Sequence, residues 1–176
     1  MILSVKIPKH LQHSLYMGND DIIEINSSKF QEWNEEGVYD LSYELLYEQN
    51  EQCFLPWEKG EEIIPKLFAQ WRNLHEQLEA FYKQRNVKEA LPLMQKGIKL
   101  CIAILFWHNN RPITCQHWDS LEKSGFSLPV NFSERISFIV SRPQLYASYK
   151  ALSEIMVELE KLIAIDNLKR KFKKEK

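Results

Sequence analysis

The feature that most constrains this fold is an unbroken apolar run at Leu100–Trp107, with the sequence LCIAILFW. Helical spacing in the surrounding residues, Val87–His108, predicts that the run lies within one helix. Because a helix that is apolar on every side has no face suited to water, other elements must enclose it. The sequence Asn-Asn-Arg-Pro at 109–112 ends this helix, since it combines turn formers with a proline. We therefore expect the rest of the chain to pack around residues 100–107.

Two further segments show helical periodicity. Glu61–Arg85 is amphipathic, with apolar residues repeating at steps of three and four and a charged opposite face. Gln144–Lys169 carries apolar residues at alternating steps of four and three, a heptad-like pattern suited to antiparallel packing in a bundle or to a partner helix. Together with the helix over Val87–His108, these segments predict an all-α fold, a single-domain helical bundle of about six or seven helices.

The first part of the chain gives shorter elements. Ile2–Ile7 is predicted to be a short strand or an extended arm. Pro8 suits the first turn of a short helix that ends near Gly18. A further helix is predicted over Tyr39–Glu48, where leucines fall at helical spacing.

Two short helices are predicted in the second half of the chain. Thr114 is suited to cap a helix that stops at the Ser-Gly pair 124–125. Asn131 and Glu134 have the spacing of a capping box, in which the first side chain accepts from first-turn amides and the second reaches back. This box is expected to open a helix that runs through Val140.

The chain is predicted to form one globular domain. Residues 1–60 are expected to be an arm and short helices packed on the core, 61–169 the helical core, and 170–176 a basic tail. A formal net charge of −1 gives no overall attraction to nucleic acid or anionic membrane. The charge is uneven, since acidic residues dominate Asp20–Glu62 and basic residues dominate Lys169–Lys176.

The compartment is expected to be the cytoplasm. The N-terminus lacks the apolar run and cleavage site of a secretory signal, and Leu100–Trp107 is far shorter than the roughly 20 residues that span a bilayer. No membrane association is predicted. The three cysteines, Cys53, Cys101 and Cys115, are odd in number and far apart, which favours reduced thiols over a disulfide framework.

Five histidine and cysteine positions are candidates for metal or nucleophile sites. His10 and His13 are three residues apart, but two histidines do not complete a zinc site, so they are interpreted as surface residues. His108, Cys115 and His117 crowd the end of the apolar helix, where a first-turn thiol would have a lowered pKa. No further ligand has a recognised spacing, and packing is the favoured role of Cys115. The sequence therefore predicts no metal and no cofactor.

Arg111 and His117 form an Arg-x5-His pattern that resembles the RNA-cleaving motif of the HEPN superfamily of small helical bundles. In that chemistry the imidazole serves as acid or base while the guanidinium stabilises the phosphate. Pro112 directly follows the arginine, and the two residues are predicted to lie across a loop and not within one long helix. A structural turn is the favoured interpretation, and a HEPN-like RNase is the alternative.

Five tryptophans, Trp33, Trp57, Trp71, Trp107 and Trp118, are many for this length. A cluster of them could line a ligand pocket, but aromatic residues at helical spacing more often form core. Core is therefore the predicted role.

The basic tail from Lys169 to Lys176 has two interpretations. A cationic end complements the negative end of its own helix and keeps a chain terminus solvated. It also suits weak, sequence-independent contact with phosphate backbones, which gives nucleic-acid binding as a further alternative function.

Two stretches carry a family resemblance: LFWHNNRPI at Leu105–Ile113 and LPVNFSERISFIVSRPQLYASYKAL at Leu128–Leu152. They combine an aromatic-Trp helix end, an Asn-x-x-Glu-Arg box and a Pro-x-x-Tyr step in a fixed order. With these motifs the chain resembles the YpoC-like family of small bacterial proteins found in Firmicutes, from the Glu61 helix onward. The family is regarded as uncharacterised, so the resemblance implies no catalytic residues.

The favoured function is that of a non-enzymatic protein-interaction domain. Its expected partner is a protein, through the C-terminal helix, or a second copy of the chain in a homodimer. The alternatives are an RNase that uses Arg111 and His117, and weak nucleic-acid binding through the tail. Partner binding predicts an exposed apolar patch that lacks convergent polar groups.

Overall fold

The computed structural model describes all residues, 1–176, and contains two strands and six α-helices. The prediction of an all-α class with six or seven helices and a short N-terminal strand is confirmed. The strands and helices are β1 (Ile2–Lys6), β2 (Ile22–Asn26), α1 (Gly37–Asp40), α2 (Ser42–Glu48), α3 (Gly60–Lys83), α4 (Val87–His108), α5 (Phe132–Ser141) and α6 (Tyr146–Lys174). Short 3-10 turns lie at Lys9–Leu11, Ser27–Phe30, Pro56–Glu58 and Trp118–Lys123.

The N-terminal strand pairs with a strand that the sequence did not predict. β1 and β2 are antiparallel, with Leu3 opposite Ile25 and Val5 opposite Ile23. Each strand has the same alternating burial, so that one residue of each, Val5 and Ile25, is fully enclosed. The small sheet therefore buries one face, as antiparallel pairs commonly do.

The predicted helix from Pro8 to Gly18 is wrong. Only the turn Lys9–Leu11 forms, because Gln12 adopts an extended backbone with ψ of 119°. The side-chain amide of Gln12 donates to the carbonyl of Ile7 at 3.1 Å, which is a local alternative to helical hydrogen bonding.

The two central helices follow the predicted periodicity. α3 lies within one or two residues of the predicted bounds, and α4 has the predicted bounds. Every residue of Leu100–Trp107 is buried, so the predicted enclosure of this run is confirmed. α4 is also long and apolar enough to cross a membrane by length and composition, a property that buried core helices share, and most of it is buried.

The predicted cap of α5 is wrong. Asn131 has a left-handed backbone, with φ of 53°, and its side chain makes no capping hydrogen bond. Glu122 supplies the cap instead, because its Oε1 accepts from the backbone N–H of Ser133 at 2.9 Å. The hydroxyl of Ser133 also donates to Glu122 Oε2, and this bond, together with the one from the backbone N–H, lowers the pKa of Glu122.

Thr114 does not begin a helix. The turn Trp118–Lys123 starts after His117. The backbone of His117 is left-handed, with φ of 64°, so no helix can run from Thr114 into this turn. Two side chains of this turn, Trp118 and Leu121, are buried, and the burial of Trp118 agrees with its predicted role as core.

The last helix is longer than predicted. α6 continues to Lys174, so most of the basic tail is helical. Lysine and arginine are good helix formers, and cations are favourable beside the negative end of a helix. No proline or glycine interrupts the segment from Gln144 onward.

The chain divides into two compact units, and the prediction of one globular domain stays a prediction. The first comprises 1–67 and 102–116, and the second 68–101 and 117–176. In the first unit, α2 packs the buried ring of Tyr43 beside Trp107, with ring centroids 6.3 Å apart. In the second unit, a side chain added at Gly97 would meet the ring of Trp71 at 2.8 Å.

Candidate functional site

Arg111 and His117 lie in the irregular segment that follows α4. Arg111 is exposed, and its backbone N–H donates to the carbonyl of Phe106 at 3.1 Å, which closes the end of the helix. His117 is exposed and holds the left-handed backbone that precedes a 3-10 turn. Neither residue lies inside a helix. Both residues therefore lie in turns and not on a helix face, and the alternative function of an RNase stays a prediction.

Cys115 is not the activated thiol that a first helical turn would produce. It lies outside any helix, and its backbone N–H donates to the carbonyl of His10 at 2.7 Å. Burial, with a further contribution from the charge of Glu44, raises the pKa of Cys115 to about 12. The lowered pKa expected of a first-turn thiol is therefore not found, and packing remains the favoured role of Cys115.

The histidines have separate partners. His10 Nε2 lies 3.0 Å from a carboxylate oxygen of Glu48. His13 Nδ1 accepts from the backbone N–H of Leu15 at 3.0 Å, and burial lowers the pKa of this imidazole. No group of three or more His, Cys, Asp or Glu side chains is arranged to hold a metal ion.

Four of the five tryptophans are buried, which agrees with their predicted role as core. Trp33 is half-buried, and its ring stacks on that of Tyr43 with centroids 6.0 Å apart. Trp107 is completely enclosed and donates its indole N–H to Glu44.

Glu44 is a buried acid that sequence periodicity did not reveal. Its Oε1 accepts from Trp107 Nε1 at 3.0 Å and from the backbone N–H of Ile113 at 3.1 Å. Its Oε2 is buried without a hydrogen-bond partner. Burial raises the pKa of Glu44 to about 7, with a smaller contribution from the charge of Asp40. The carboxyl therefore connects α2 to the end of α4 and to the segment that follows it.

The strongest candidate for function is the exposed side of α6. The buried side of this helix carries the predicted heptad pattern, with Tyr149, Leu152, Met156, Leu159 and Ile163 at most 6% exposed. On the opposite side, Val157, Ile165, Leu168 and Phe172 are between 53% and 64% exposed. Ala164 and Lys161 are exposed on the same side. We call this set of six residues, Val157, Lys161, Ala164, Ile165, Leu168 and Phe172, the outer face.

The geometry of a helix makes the outer face continuous. At 3.6 residues per turn, its six positions fall within an arc of about 100°. The buried positions of α6 are centred on roughly the opposite side of the helix. α6 is therefore apolar on two sides, of which only one is packed, and an unpacked apolar stripe marks a surface for interaction.

Charges flank the outer face in a regular order. Glu158 and Glu160 lie beside its first half, and Lys169 and Lys171 lie beside its second half. Arg135 donates two hydrogen bonds, of 2.8 and 2.9 Å, to the carboxylate of Glu158. These bonds lower the pKa of that carboxyl. Both glutamates keep about half of their side-chain surface in water, so they remain available to a second cation.

Comparison with known proteins gives the family. The sequence model described as YpoC-like protein matches residues 61–171, a range that includes every residue of the outer face except Phe172. A protein of Bacillus subtilis (strain 168), named Uncharacterized protein YpoC, is 32% identical over 108 residues. That alignment covers 61% of this chain and 66% of the relative, slightly less than two thirds of its length. No solved structure matches the chain. Because the family model spans well over half of the sequence, the chain belongs to the family of YpoC-like proteins.

Proposed function

We propose that this chain is a protein-interaction domain whose binding surface is the outer face of α6 and whose partner is a second copy of the same chain. The observation that carries the proposal is the row of four large apolar side chains, each more than half exposed, on a helix whose other side is already packed. Solvent exposure of such a row is unfavourable, and pairing it with an equivalent row removes both from water.

The flanking charges favour an antiparallel pair of α6 helices. Glu158 and Lys169 lie on one edge of the outer face, and Glu160 and Lys171 lie on the other. On each edge the acid and the base are separated by eleven residues, or about three helical turns. An antiparallel pair centred between residues 164 and 165 sets each edge against the same edge of the other copy. Glu160 then lies about 3 Å along the helix axis from Lys171 of the other copy, and Glu158 lies the same distance from Lys169 of the other copy.

A parallel pair is disfavoured by the same charges. In a parallel arrangement each edge of the outer face lies against the opposite edge of the other copy, so Glu158 would face Glu160 and Lys169 would face Lys171. Opposed like charges weaken helix pairing, whereas alternating charges on the edges select the orientation and register. The pattern is therefore self-complementary in one orientation only, which is why a second copy is the proposed occupant.

The pairing is expected to be of moderate strength. Each copy contributes only four large apolar side chains, which is a small contact for a specific complex. Binding also immobilises long lysine and glutamate side chains, which reduces the net affinity. We therefore expect a dimer that forms at micromolar and not at nanomolar concentration.

Sedimentation equilibrium over a wide concentration range tests the proposal. The native chain is expected to show a reversible monomer–dimer equilibrium, and Leu168→Glu is expected to weaken it at least tenfold because a charge would be buried at the contact. Leu168 is exposed in the monomer, so the variant should keep its far-ultraviolet circular dichroism and its melting temperature. Gln77 is an exposed residue of another helix, α3. The variant Gln77→Glu is therefore the matched control, and this protein should dimerise normally.

Charge reversal tests the orientation separately. Lys171→Glu should weaken the dimer, since it would face Glu160 of the other copy, and adding Glu160→Lys should restore it. Glu160 also accepts a hydrogen bond of 2.6 Å from Arg72, so Arg72→Ala controls for loss of that contact. A native chain that stays monomeric at all concentrations, or a double variant that gains nothing over Lys171→Glu, would contradict the proposal.

A further inference from the structure

The second unit contains a groove between α3 and the start of α6 that the outer face does not include. It has a volume of about 320 Å³, within the range of small-molecule sites. α3 contributes His75, Glu79, Tyr82 and Lys83. α6 contributes three more residues at its first turn and the next, Tyr146, Tyr149 and Lys150. We call this site the tyrosine groove.

The aromatic rings of the tyrosine groove form a connected stack. Tyr82 and Tyr149 are nearly parallel, with centroids 5.1 Å apart and an angle of 21°. The imidazole of His75 lies 5.5 Å from the ring of Tyr149 and, on α3, 5.5 Å from Trp71. Tyr146 meets Tyr82 edge-on at 5.5 Å. Successive rings at this spacing make a platform on which a further planar ring can stack.

The platform is held rigid at its inner end and is open at its outer end. Tyr149 is only 4% exposed, and its hydroxyl lies 3.1 Å from Nδ1 of His75, within hydrogen-bond distance. Burial raises the pKa of Tyr149 and of Tyr82, so both rings are neutral phenols at neutral pH. Tyr146, by contrast, is 57% exposed. An ordered inner stack and an exposed outer ring are suited to a ligand that completes the stack.

Two cations flank the rings. Lys150 follows Tyr149 on α6 and is exposed, and Lys83 follows Tyr82 on α3. Lys83 pairs with Glu79 at 3.4 Å, which offsets one positive charge and leaves a net positive groove. Ammonium groups beside the rings oppose a cationic ligand and favour a ligand whose planar ring carries an anionic group.

We propose that the tyrosine groove binds a mononucleotide, with its base stacked on the tyrosines and its phosphate held by Lys150 and Lys83. A nucleotide supplies both of the features that the groove selects, a planar aromatic ring and a nearby anion. The volume accommodates a single small molecule, and the site uses no residue of the outer face. The binding of a nucleotide in the tyrosine groove is therefore expected to be independent of dimerisation.

Titration of the full chain with adenosine monophosphate, followed by calorimetry and by NMR of labelled tyrosines, tests this proposal. Saturable binding in the micromolar to millimolar range is expected, with shifts at Tyr82, Tyr146 and Tyr149. Adenosine alone should bind several-fold more weakly, and inorganic phosphate alone should not shift the tyrosine signals. Binding should weaken as salt is raised, since the phosphate contacts are exposed lysines.

Variants separate stacking from charge. Tyr146→Ala should weaken binding at least about fivefold, and Tyr146→Trp should retain it because the stacking surface remains. Lys150→Ala should weaken the binding of adenosine monophosphate but not the binding of adenosine. Tyr47→Ala is the matched control, since Tyr47 is also a half-exposed tyrosine that packs edge-on against another ring, that of Trp57.

Three results would overturn the proposal. The first is the absence of saturable binding at millimolar adenosine monophosphate, including the case in which only a single-stranded oligonucleotide binds. The second is equal loss of binding in Tyr146→Ala and Tyr47→Ala. The third is equal affinity for adenosine and its monophosphate. Leu168→Glu should bind the nucleotide like the native chain, which distinguishes failure here from failure of the dimer.

Discussion

The buried carboxyl of Glu44 should make the stability of the protein depend on pH. Its pKa rises from 4.5 in an exposed chain to about 7 in the folded protein, because burial disfavours the charged form. The folded protein therefore holds this proton more tightly than the unfolded chain does. The contribution of Glu44 to stability is largest below about pH 4.5, falls as the pH rises towards 7, and is constant above that.

The size of this effect follows from the shift in pKa. One unit corresponds to about 1.4 kcal/mol, so a rise from 4.5 to about 7 predicts a loss of about 3 kcal/mol across that interval. Glu44→Gln removes the titration, while its side-chain oxygen can still accept from Trp107 Nε1 and Ile113 N. The difference in unfolding free energy between the native chain and the variant isolates Glu44, because Asp40 and the other acids remain in both.

Urea unfolding from about pH 4 to pH 8, followed by tryptophan fluorescence and circular dichroism, measures this difference. The native chain should lose about 3 kcal/mol relative to Glu44→Gln between pH 4.5 and 7. Glu24→Gln, on the exposed side of β2, is the control and should follow the native curve. If the curves of the native chain and Glu44→Gln stay parallel over the whole range, the assignment of a neutral buried carboxyl is wrong.

Three further predictions concern the second unit and the thiols. Gly97→Ala should destabilise the protein by about 1–3 kcal/mol in urea unfolding, because its methyl group would overlap a packed tryptophan ring, and an unchanged midpoint would contradict that packing. Arg135→Ala should cost about 1 kcal/mol by the same assay, and more than Arg72→Ala, whose ion pair is more exposed; equal costs would count against the two-bond geometry. Cys101 and Cys115 should resist alkylation by iodoacetamide at about pH 8, since burial raises the pKa of each thiol to about 12, and mass spectrometry that finds them modified as fast as in urea would refute this.

Local periodicity explains why the long helices could be predicted from the sequence. α4 has the predicted bounds because its repeat is strong, its first turn tolerates Pro92, and turn formers follow His108. The complete burial of Leu100–Trp107 follows from the absence of any polar side in that segment. These properties depend on neighbours in sequence, which the sequence displays directly.

The errors arise where distant residues decide the conformation. β2 is ordered by its pairing with β1, some twenty residues earlier in the chain, and its own alternation is too short to show this. The cap of α5 comes from Glu122, which lies outside the predicted capping box. A left-handed Asn131 leaves its side chain unable to serve as that cap, although asparagine tolerates this backbone well.

The candidate sites were only partly accessible from the sequence. The heptad pattern of α6 was recognised on the buried side, but the second apolar row was not, because the first row alone accounted for a packed helix. Counting helical positions from Val157 to Phe172 could have found it. The tyrosine groove could not be found this way, since Tyr82 and Tyr146 come from separate helices and meet only in the fold.

Cysteine cross-linking along α6 tests the central claim, the antiparallel pairing of two copies, most directly. Ala164→Cys lies beside the proposed two-fold axis, so this variant should form a disulfide-linked dimer under mild oxidation. Val157→Cys alone should not cross-link, because the two copies of that position would be about 22 Å apart, but it should link to Phe172→Cys when the two variants are mixed. The native chain, with its three free cysteines, is the control. Failure of Ala164→Cys to cross-link, or self-linking of Val157→Cys, would contradict the account.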